Sequence, residues 1–257
     1  MDKLTIIKVG GKIVETEKSL IQLLNDFSKI DGYKVLVHGG GRSATRLSER
    51  LGIESHMVNG RRITDRATLE IVTMVYGGLV NKGIVAGLQA LGVNAIGLTG
   101  ADLNIIRSEK RPVKDIDYGF VGDVKEINLP MLYALISQDI VPVLAPLTHD
   151  KEGNILNTNA DTIAGETAKA LAGMFDVSLV YCFEKKGVLM NEDDDNSVIS
   201  HISKDDFVRL VEEGVIQGGM IPKLENAFKS LAAGVKEVVI TSAEEIGEDS
   251  GTRIVLK

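Results

Sequence analysis

The sequence predicts an α/β protein built on a parallel or mostly parallel sheet with helices on both faces. Short apolar runs alternate with longer amphipathic segments along the whole chain, the order that crossover connections require. The runs are rich in Val and Ile and mostly lack strict alternation, as expected of strands covered on both faces. Glycine-rich turns follow the first two runs, where a strand hands over to a helix.

Taken in order, segments 4–9, 34–38, 94–98, 140–145, 177–182 and 237–241 read as strands. Helical spacing of apolar residues marks 18–30, 42–51, 67–91, 130–138, 161–172, 204–213 and 223–234. Segments 105–109 and 119–124 read as a hairpin over one edge, with Arg111-Pro112 between them. The acidic run Glu192-Asp193-Asp194-Asp195-Asn196 reads as a solvated loop, because it lacks the regular ligand spacing of a calcium loop.

A chain of 257 residues accommodates one large α/β domain or two lobes that share a sheet. With 44% hydrophobic and 25% charged residues it has a soluble globular balance, which argues against disorder and coiled coil. A net charge of −7 gives no positive field for a polyanion and no basic stripe is visible, so nucleic acid is not an expected partner. Small anions can still be held by a few placed cations and backbone N–H groups. The single cysteine, Cys182, excludes an intrachain disulfide, fits a reducing compartment and reads as a buried inert thiol. Met1-Asp2-Lys3 leads straight into the first strand, and no stretch reads as the roughly 20 apolar residues of a membrane span. The expectation is a cytoplasmic protein without a membrane partner.

The first glycine turn is Lys8-Val9-Gly10-Gly11-Lys12 and the second is His38-Gly39-Gly40-Gly41-Arg42. Either alone is a tight turn; two in consecutive units point to an anion site, because glycine lets the backbone approach and a helix start offers unpaired N–H groups. Neither is a Walker loop. Gly39-x-Gly41-x-x-Ala44 meets a loose dinucleotide fingerprint, but the following Val58-Asn59-Gly60-Arg61-Arg62 is basic where that fingerprint needs an acid. Lys8 interrupts an apolar strand, shares a face with Leu4 and Ile6, and sits at the strand's carboxyl end; a snorkelling surface lysine is the alternative. Pro222 reads as the first helical residue of its segment, which puts Lys223 in the first turn, where the helix dipole disfavours a cation unless an anion is shared with it. In Asn157-Thr158-Asn159-Ala160-Asp161, either Asn159 or Asp161 could cap the next helix, or the group could orient polar ligands.

These pieces, with Asn59-Gly60-Arg61-Arg62-Ile63-Thr64, Asn81-Lys82, Gly119-Phe120-Val121-Gly122-Asp123-Val124, Gly219-Met220-Ile221-Pro222-Lys223 and Gly251-Thr252-Arg253-Ile254, resemble the amino-acid kinase family over nearly the whole chain. Within it, the resemblance is to the branch acting on N-acylated glutamate. It implies an open, mainly parallel eight-stranded sheet between helical layers, shared with carbamate kinases, in a single domain 1–257. An acyl-amino-acid lobe would span about 1–173 and a nucleotide lobe 174–257. It also implies transfer of the γ-phosphoryl of ATP to the γ-carboxylate of N-acetyl-L-glutamate, a step toward arginine. Lys8 and Lys223 would stabilise the transferring group, with Asp161 holding the two ammonium groups. Gly40 and Gly41 would meet the γ-carboxylate or phosphoryl oxygens, Arg62 would grip the α-carboxylate, and Asn157 would bind the acylated amino acid. Gly10, Gly11, Glu184 and Gly187 would serve the nucleotide, and Mg²⁺ would arrive on its phosphates rather than at a protein metal site. A carboxylate is already a nucleophile at neutral pH, so the chemistry needs no general base.

Two positions depart from the family pattern. Relatives carry Asp-x-x-Gly where this chain reads Glu184-Lys185-Lys186-Gly187, and an apolar residue where it has Arg61. An extra guanidinium beside the substrate could pair with a second carboxylate, so N-succinyl-L-glutamate is the alternative substrate; a solvent-facing Arg61 is the simpler account. A non-catalytic amino-acid sensor on the same fold, or a kinase for another small acid, completes the alternatives. The expected assembly is a homodimer insensitive to arginine, since the first strand starts near Leu4 and leaves no room for the N-terminal helix of arginine-inhibited relatives. The 67–91 helix, with Ile71, Val75, Leu79 and Val80, could supply the dimer contact or simply be core.

Overall fold

The structure, a computed structural model, describes residues 1–58, 60–246 and 250–256. The first half of the chain runs β1 (Lys3–Val9), α1 (Gly11–Glu15), α2 (Glu17–Ser28), β2 (Tyr33–His38), α3 (Gly41–Arg50), β3 (Met57–Val58), β4 (Arg61–Arg62), α4 (Arg66–Val72), a π-helical segment (Thr73–Val80), α5 (Asn81–Ala90) and β5 (Ala95–Leu98). Then follow β6 (Ile106–Lys110), β7 (Gly122–Ile127), α6 (Leu129–Ile136), β8 (Val141–Leu144), β9 (Leu147–His149), β10 (Ile155–Asn157) and α7 (Ala160–Leu171). The remainder is β11 (Asp176–Phe183), β12 (His201–Ile202), α8 (Lys204–Glu212), α9 (Met220–Ala232), β13 (Glu237–Ser242) and β14 (Thr252–Ile254).

Eight strands form the main sheet in the order β12-β14-β13-β11-β1-β2-β8-β5. All neighbours are parallel except β13 and β14. This is the open, mainly parallel sheet that the family resemblance implies. β1 is central, with Val9 beside Cys182 on one side and His38 on the other. The loops that follow β1, β2 and β11 therefore leave the sheet side by side at its carboxyl edge, where open α/β sheets place ligands.

Alternation along β1 divides the core. Leu4 and Ile6 pack into one apolar cluster with α7 and α9, while Ile7 and Val9 pack into the other with α2 and the π-helical segment. Lys8 falls on the α7 side, the face predicted from Leu4 and Ile6. Its environment is not a solvent surface, so the snorkelling alternative does not apply.

The structure corrects three readings. The helix expected to start near Lys223 starts at Met220, making Pro222 its third residue; the missing N–H is still among the groups a helix start leaves unpaired. The expected 67–91 helix is one run from Arg66 to Ala90, but its middle, Thr73–Val80, winds as a π-helix, and apolar periodicity does not report that change of pitch. The same 25-residue run holds an 18-residue window of mean hydropathy 1.5, which by length and composition alone is enough to span a membrane, contrary to the reading of the sequence. Here Ile71, Val75, Val80 and Ile84 pack into the core, so of the four candidates for a dimer contact only Leu79 is exposed.

The hairpin β6–β7 forms as expected, but it joins β9 and β10 in a separate four-stranded sheet, order β10-β9-β6-β7. Strands of three residues, such as β9 and β10, are too short to show a period. This sheet delivers Asn157 to the site, and Val121 pairs with it across a single bridge.

A buried polar hub ties three strands of the main sheet together. The Asn81 amide donates to His38 Nε2 at 3.1 Å and to the Val143 carbonyl at 2.9 Å, while Lys82 Nζ donates to the Gly97 carbonyl at 2.8 Å. His38 Nδ1–H donates to the Gly39 carbonyl at 2.7 Å, so the ring is neutral and its tautomer fixed. Burial lowers its pKa to about 4; the Gly39 hydrogen bond opposes this and the Lys82 charge adds to it. The unfolded ring takes a proton near pH 6.5 and the folded ring only near 4, so His38 stabilises the fold fully above pH 6.5 and loses that contribution as pH falls toward 4. The whole contribution is about 3 kcal/mol. Between pH 7.5 and 4.5, the unfolding free energy of the wild type should drop about 2–3 kcal/mol more than that of His38→Gln. Parallel pH dependence in the two proteins would contradict this assignment.

Candidate active site

Lys8 Nζ lies 2.7 Å from Asp161 Oδ1, with both side chains largely buried. Asp161 is in the first turn of α7, whose cap is Asn159: its side chain accepts from the Thr162 N–H at 3.0 Å. Capping is thereby assigned to Asn159, and the Asp161 carboxylate is free to face the lysine. No well-directed hydrogen bond reaches Oδ1, so the contact is an ion pair held by charge and proximity.

Lys223 comes from the other side, as the fourth residue of α9. Its Nζ lies 3.9 Å from the centroid of the Phe183 ring, and Lys8 Nζ lies 5.2 Å from the same centroid. Burial lowers the Lys223 pKa; the Asp161 carboxylate offsets part of this and the Lys8 charge adds to it. One carboxylate thus serves two ammonium groups, Lys8 buried and Lys223 half-buried.

The glycine turns meet backbone to backbone beside these charges. A Cβ on Gly39 would stand 3.1 Å from the Gly11 nitrogen, and one on Gly40 would stand 2.8 Å from the Tyr76 ring. Gly10 and Gly40 occupy the cap positions of α1 and α3 and offer no side chain to the first-turn N–H groups.

Two cavities open on the turns. A cavity of about 190 Å³ is lined by Gly40, Gly41, Arg61, Arg62, Tyr76 and Asn157, among others. Arg62 is buried there, donating to Ser55 Oγ at 2.8 Å, Thr45 Oγ1 at 2.9 Å and the Gly41 carbonyl at 2.9 Å. All of these acceptors are neutral, and no carboxylate pairs with Arg62 among the described residues. A cavity of about 250 Å³ is lined by Gly10, Gly11, Lys12, Gly41, Phe183 and Glu184, among others. Gly41 borders both, so they adjoin as halves of one cleft lined mainly by glycine backbone and cationic side chains.

Residues 3–242 match the sequence profile of the Amino acid kinase family. The chain belongs to the amino acid kinase family. It is 73% identical to the acetylglutamate kinase of Phocaeicola vulgatus, covering 98% of each chain. It is 70% identical to the acetylglutamate kinase of Parabacteroides distasonis, covering 99% of this chain and 100% of that one. The N-acetylglutamate synthase of Neisseria gonorrhoeae, solved with coenzyme A and N-acetyl-glutamate, superposes with a TM-score of 0.84 at 20% identity, over 99% of this chain and 59% of that one. At that identity the likeness speaks to fold alone.

The fold of this kinase family member brings together Lys8, Asp161, Lys223, Gly10, Gly11, Gly40, Gly41, Arg61, Arg62 and Asn157 at one edge of the sheet. Gly187 is not among the cleft-lining residues. A Cβ there would meet Thr252 Oγ1 at 2.7 Å, so this glycine serves the packing of its loop on β14. Glu184 does reach the cleft, where it pairs with Lys12 and lies 3.6 Å from Arg42. The longer acid at the altered turn thus finds two cations, one from each glycine turn. Arg61 faces the first cavity half-buried; burial lowers its pKa, as does the nearby Arg111, while Asp123 and Tyr118 oppose this.

Sequence reading missed Tyr76, Phe183, Lys12 and Arg42. Tyr76 roofs Gly40 from the π-helical segment, and its hydroxyl and the Arg62 guanidinium both approach Gly41. Phe183 lies one residue past the strand read at 177–182, at the start of the altered turn, where nothing marked it. The signal available for Lys12 and Arg42 was their place directly after each glycine run.

Proposed function

We propose that this chain phosphorylates the γ-carboxylate of N-acetyl-L-glutamate with ATP, the acyl-phosphate-forming step of arginine biosynthesis. The observation that carries the reading is the convergence of Lys8, Asp161 and Lys223 beside two glycine turns. Family membership and the two relatives of about 70% identity supply the substrate. A sensor would have no use for two ammonium groups gathered on one carboxylate beside the glycine turns.

In this reading a γ-carboxylate oxygen attacks the γ-phosphorus of ATP. The new bond is carboxylate O–P; the bond that breaks joins that phosphorus to the bridging oxygen, and ADP departs with the electron pair. Phosphoryl transfer depends on alignment and on cationic stabilisation of the equatorial oxygens. Lys8 and Lys223 provide the charge, and Asp161 fixes them without cancelling both. Backbone N–H groups of Gly10, Gly11, Gly40 and Gly41 receive phosphoryl and carboxylate oxygens. Arg62, a buried guanidinium surrounded by neutral acceptors, receives the α-carboxylate. Asn157, whose Nδ2 donates to Thr64 Oγ1 at 3.0 Å, keeps its amide oxygen for the acylated nitrogen. The cleft wall of cations and N–H donors suits a nucleotide whose phosphates bring Mg²⁺ with them, the ion supplying further charge neutralisation.

The relatives' name favours the acetyl compound over the succinyl one. Arg61 is the observation that runs the other way, because it lines the substrate cavity and its guanidinium makes no hydrogen bond or ion pair among the described residues. The decisive assay supplies Mg·ATP with N-acetyl-L-glutamate, or in parallel N-succinyl-L-glutamate, and traps acyl phosphate with hydroxylamine. Hydroxamate should form with the acetyl substrate and fall roughly 10²–10³-fold in Lys8→Met and Lys223→Met. Turnover confined to the succinyl substrate, and abolished in Arg61→Ala, would reassign the acyl group. Folded protein inert toward both would refute the kinase reading.

The reading includes a cytoplasmic homodimer formed through the outer face of the Arg66–Ala90 run, where Met74 is 54% and Leu79 71% exposed. Light scattering should give the mass of two chains for the wild type and one for Leu79→Glu. A wild-type monomer, or a dimer indifferent to Leu79, would overturn this part.

A further inference from the structure

Phe183 ends β11 at the mouth of the cleft, half-buried, and both lysines lie within cation–π range of its ring, at 5.2 Å for Lys8 and 3.9 Å for Lys223. The ring is itself braced. It stacks on Tyr181, two residues earlier on the same strand, with centroids 6.4 Å apart and planes 10° from parallel. The Tyr181 hydroxyl donates to the Asp161 backbone carbonyl at 3.4 Å. Aromatic ring, carboxylate and both ammonium groups therefore form one packed unit.

The charge count explains what a ring does there that another side chain would not. Asp161 is the one carboxylate paired with either lysine among the described residues, so two like charges converge with a single counter-charge. A second carboxylate would complete neutrality, but its oxygens would compete with the phosphoryl group for the ammonium N–H donors. An aliphatic side chain would leave the ammonium groups to repel each other against apolar surface. The negative face of an aromatic ring attracts both without presenting an acceptor that rivals the substrate.

We propose that Phe183 is a positioning residue for phosphoryl transfer, its ring holding the Lys8 and Lys223 ammonium groups at the reacting phosphate. The inference rests on the reading of those lysines as phosphoryl-stabilising groups, and its test separates the two claims. Phe183→Leu keeps the apolar volume and removes the quadrupole; kcat should fall about tenfold while KM for ATP and for the acyl-glutamate stays within about twofold. Phe183→Tyr and Phe183→Trp, which retain a ring face, should recover most of the loss. Should Phe183→Leu fail to fold, 4-fluoro-, 3,5-difluoro- and pentafluoro-phenylalanine at position 183 drain the ring face in steps with little change of shape, and kcat should fall with each step.

A flat kcat across the fluorinated series, or wild-type kcat in Phe183→Leu, overturns the proposal. So does a rise in KM for ATP without a fall in kcat, which would make Phe183 a nucleotide contact. Lys8→Met and Lys223→Met are assayed alongside. If they are inactive while the fluorinated series is flat, only the role of Phe183 fails; if they are active, the lysine reading fails with it.

Discussion

The ion pair between Lys8 and Asp161 is the constraint on which the site depends. It joins the central strand of the sheet to the first turn of α7 at 2.7 Å, with the two residues only 7% and 9% exposed. Burying such a pair gains little stability over apolar packing, whereas removing one partner strands a buried charge at a cost of about 3–5 kcal/mol. Stability alone therefore does not account for it. What the pair does is fix a cation at the carboxyl edge of the sheet, beside turns where backbone N–H groups gather. Lys223 joins it from α9 because Asp161 offers a counter-charge to both lysines.

Everything else at the cleft completes that charge arrangement. The glycine turns approach each other closely enough to exclude side chains, leaving backbone as the cleft floor. Arg62 ties the short β3–β4 hairpin to the start of α3 through the Gly41 carbonyl, and so anchors its guanidinium to the same turn. Glu184 spans the turns through Lys12 and Arg42, an internal anion that links the two glycine turns. The π-helical segment widens the long helix where Tyr76 must sit over Gly40, a common place for such bulges near functional sites.

Much of this was legible in the chain because it follows from short-range rules. The two-residue period of β1 put Lys8 on the α7 face, and the glycine runs marked the turns. Lys223 was anomalous by helix polarity alone, even though Pro222, read as the first residue of its helix, is the third. Other features depend on contacts between distant segments. Phe183 meets Lys8 and Lys223 only after β11 pairs with β1 and α9 packs beside them. The choice between Asn159 and Asp161 as the cap of α7 required the position of Lys8. The small sheet that presents Asn157 uses three-residue strands too short for a period, and the change to π-helical winding leaves the apolar pattern almost unaltered. Gly187 shows the converse: a glycine inside a motif whose role here is steric fit against β14.

The most direct test of the central claim is the turnover of Asp161→Asn, which keeps the shape of the side chain and deletes the charge shared by the lysines. The account predicts a folded protein with a native circular dichroism spectrum that still binds ATP, and a kcat reduced at least about 10²-fold. A kcat within a few fold of wild type would show that the lysines need no common counter-charge, and would contradict the account at its base.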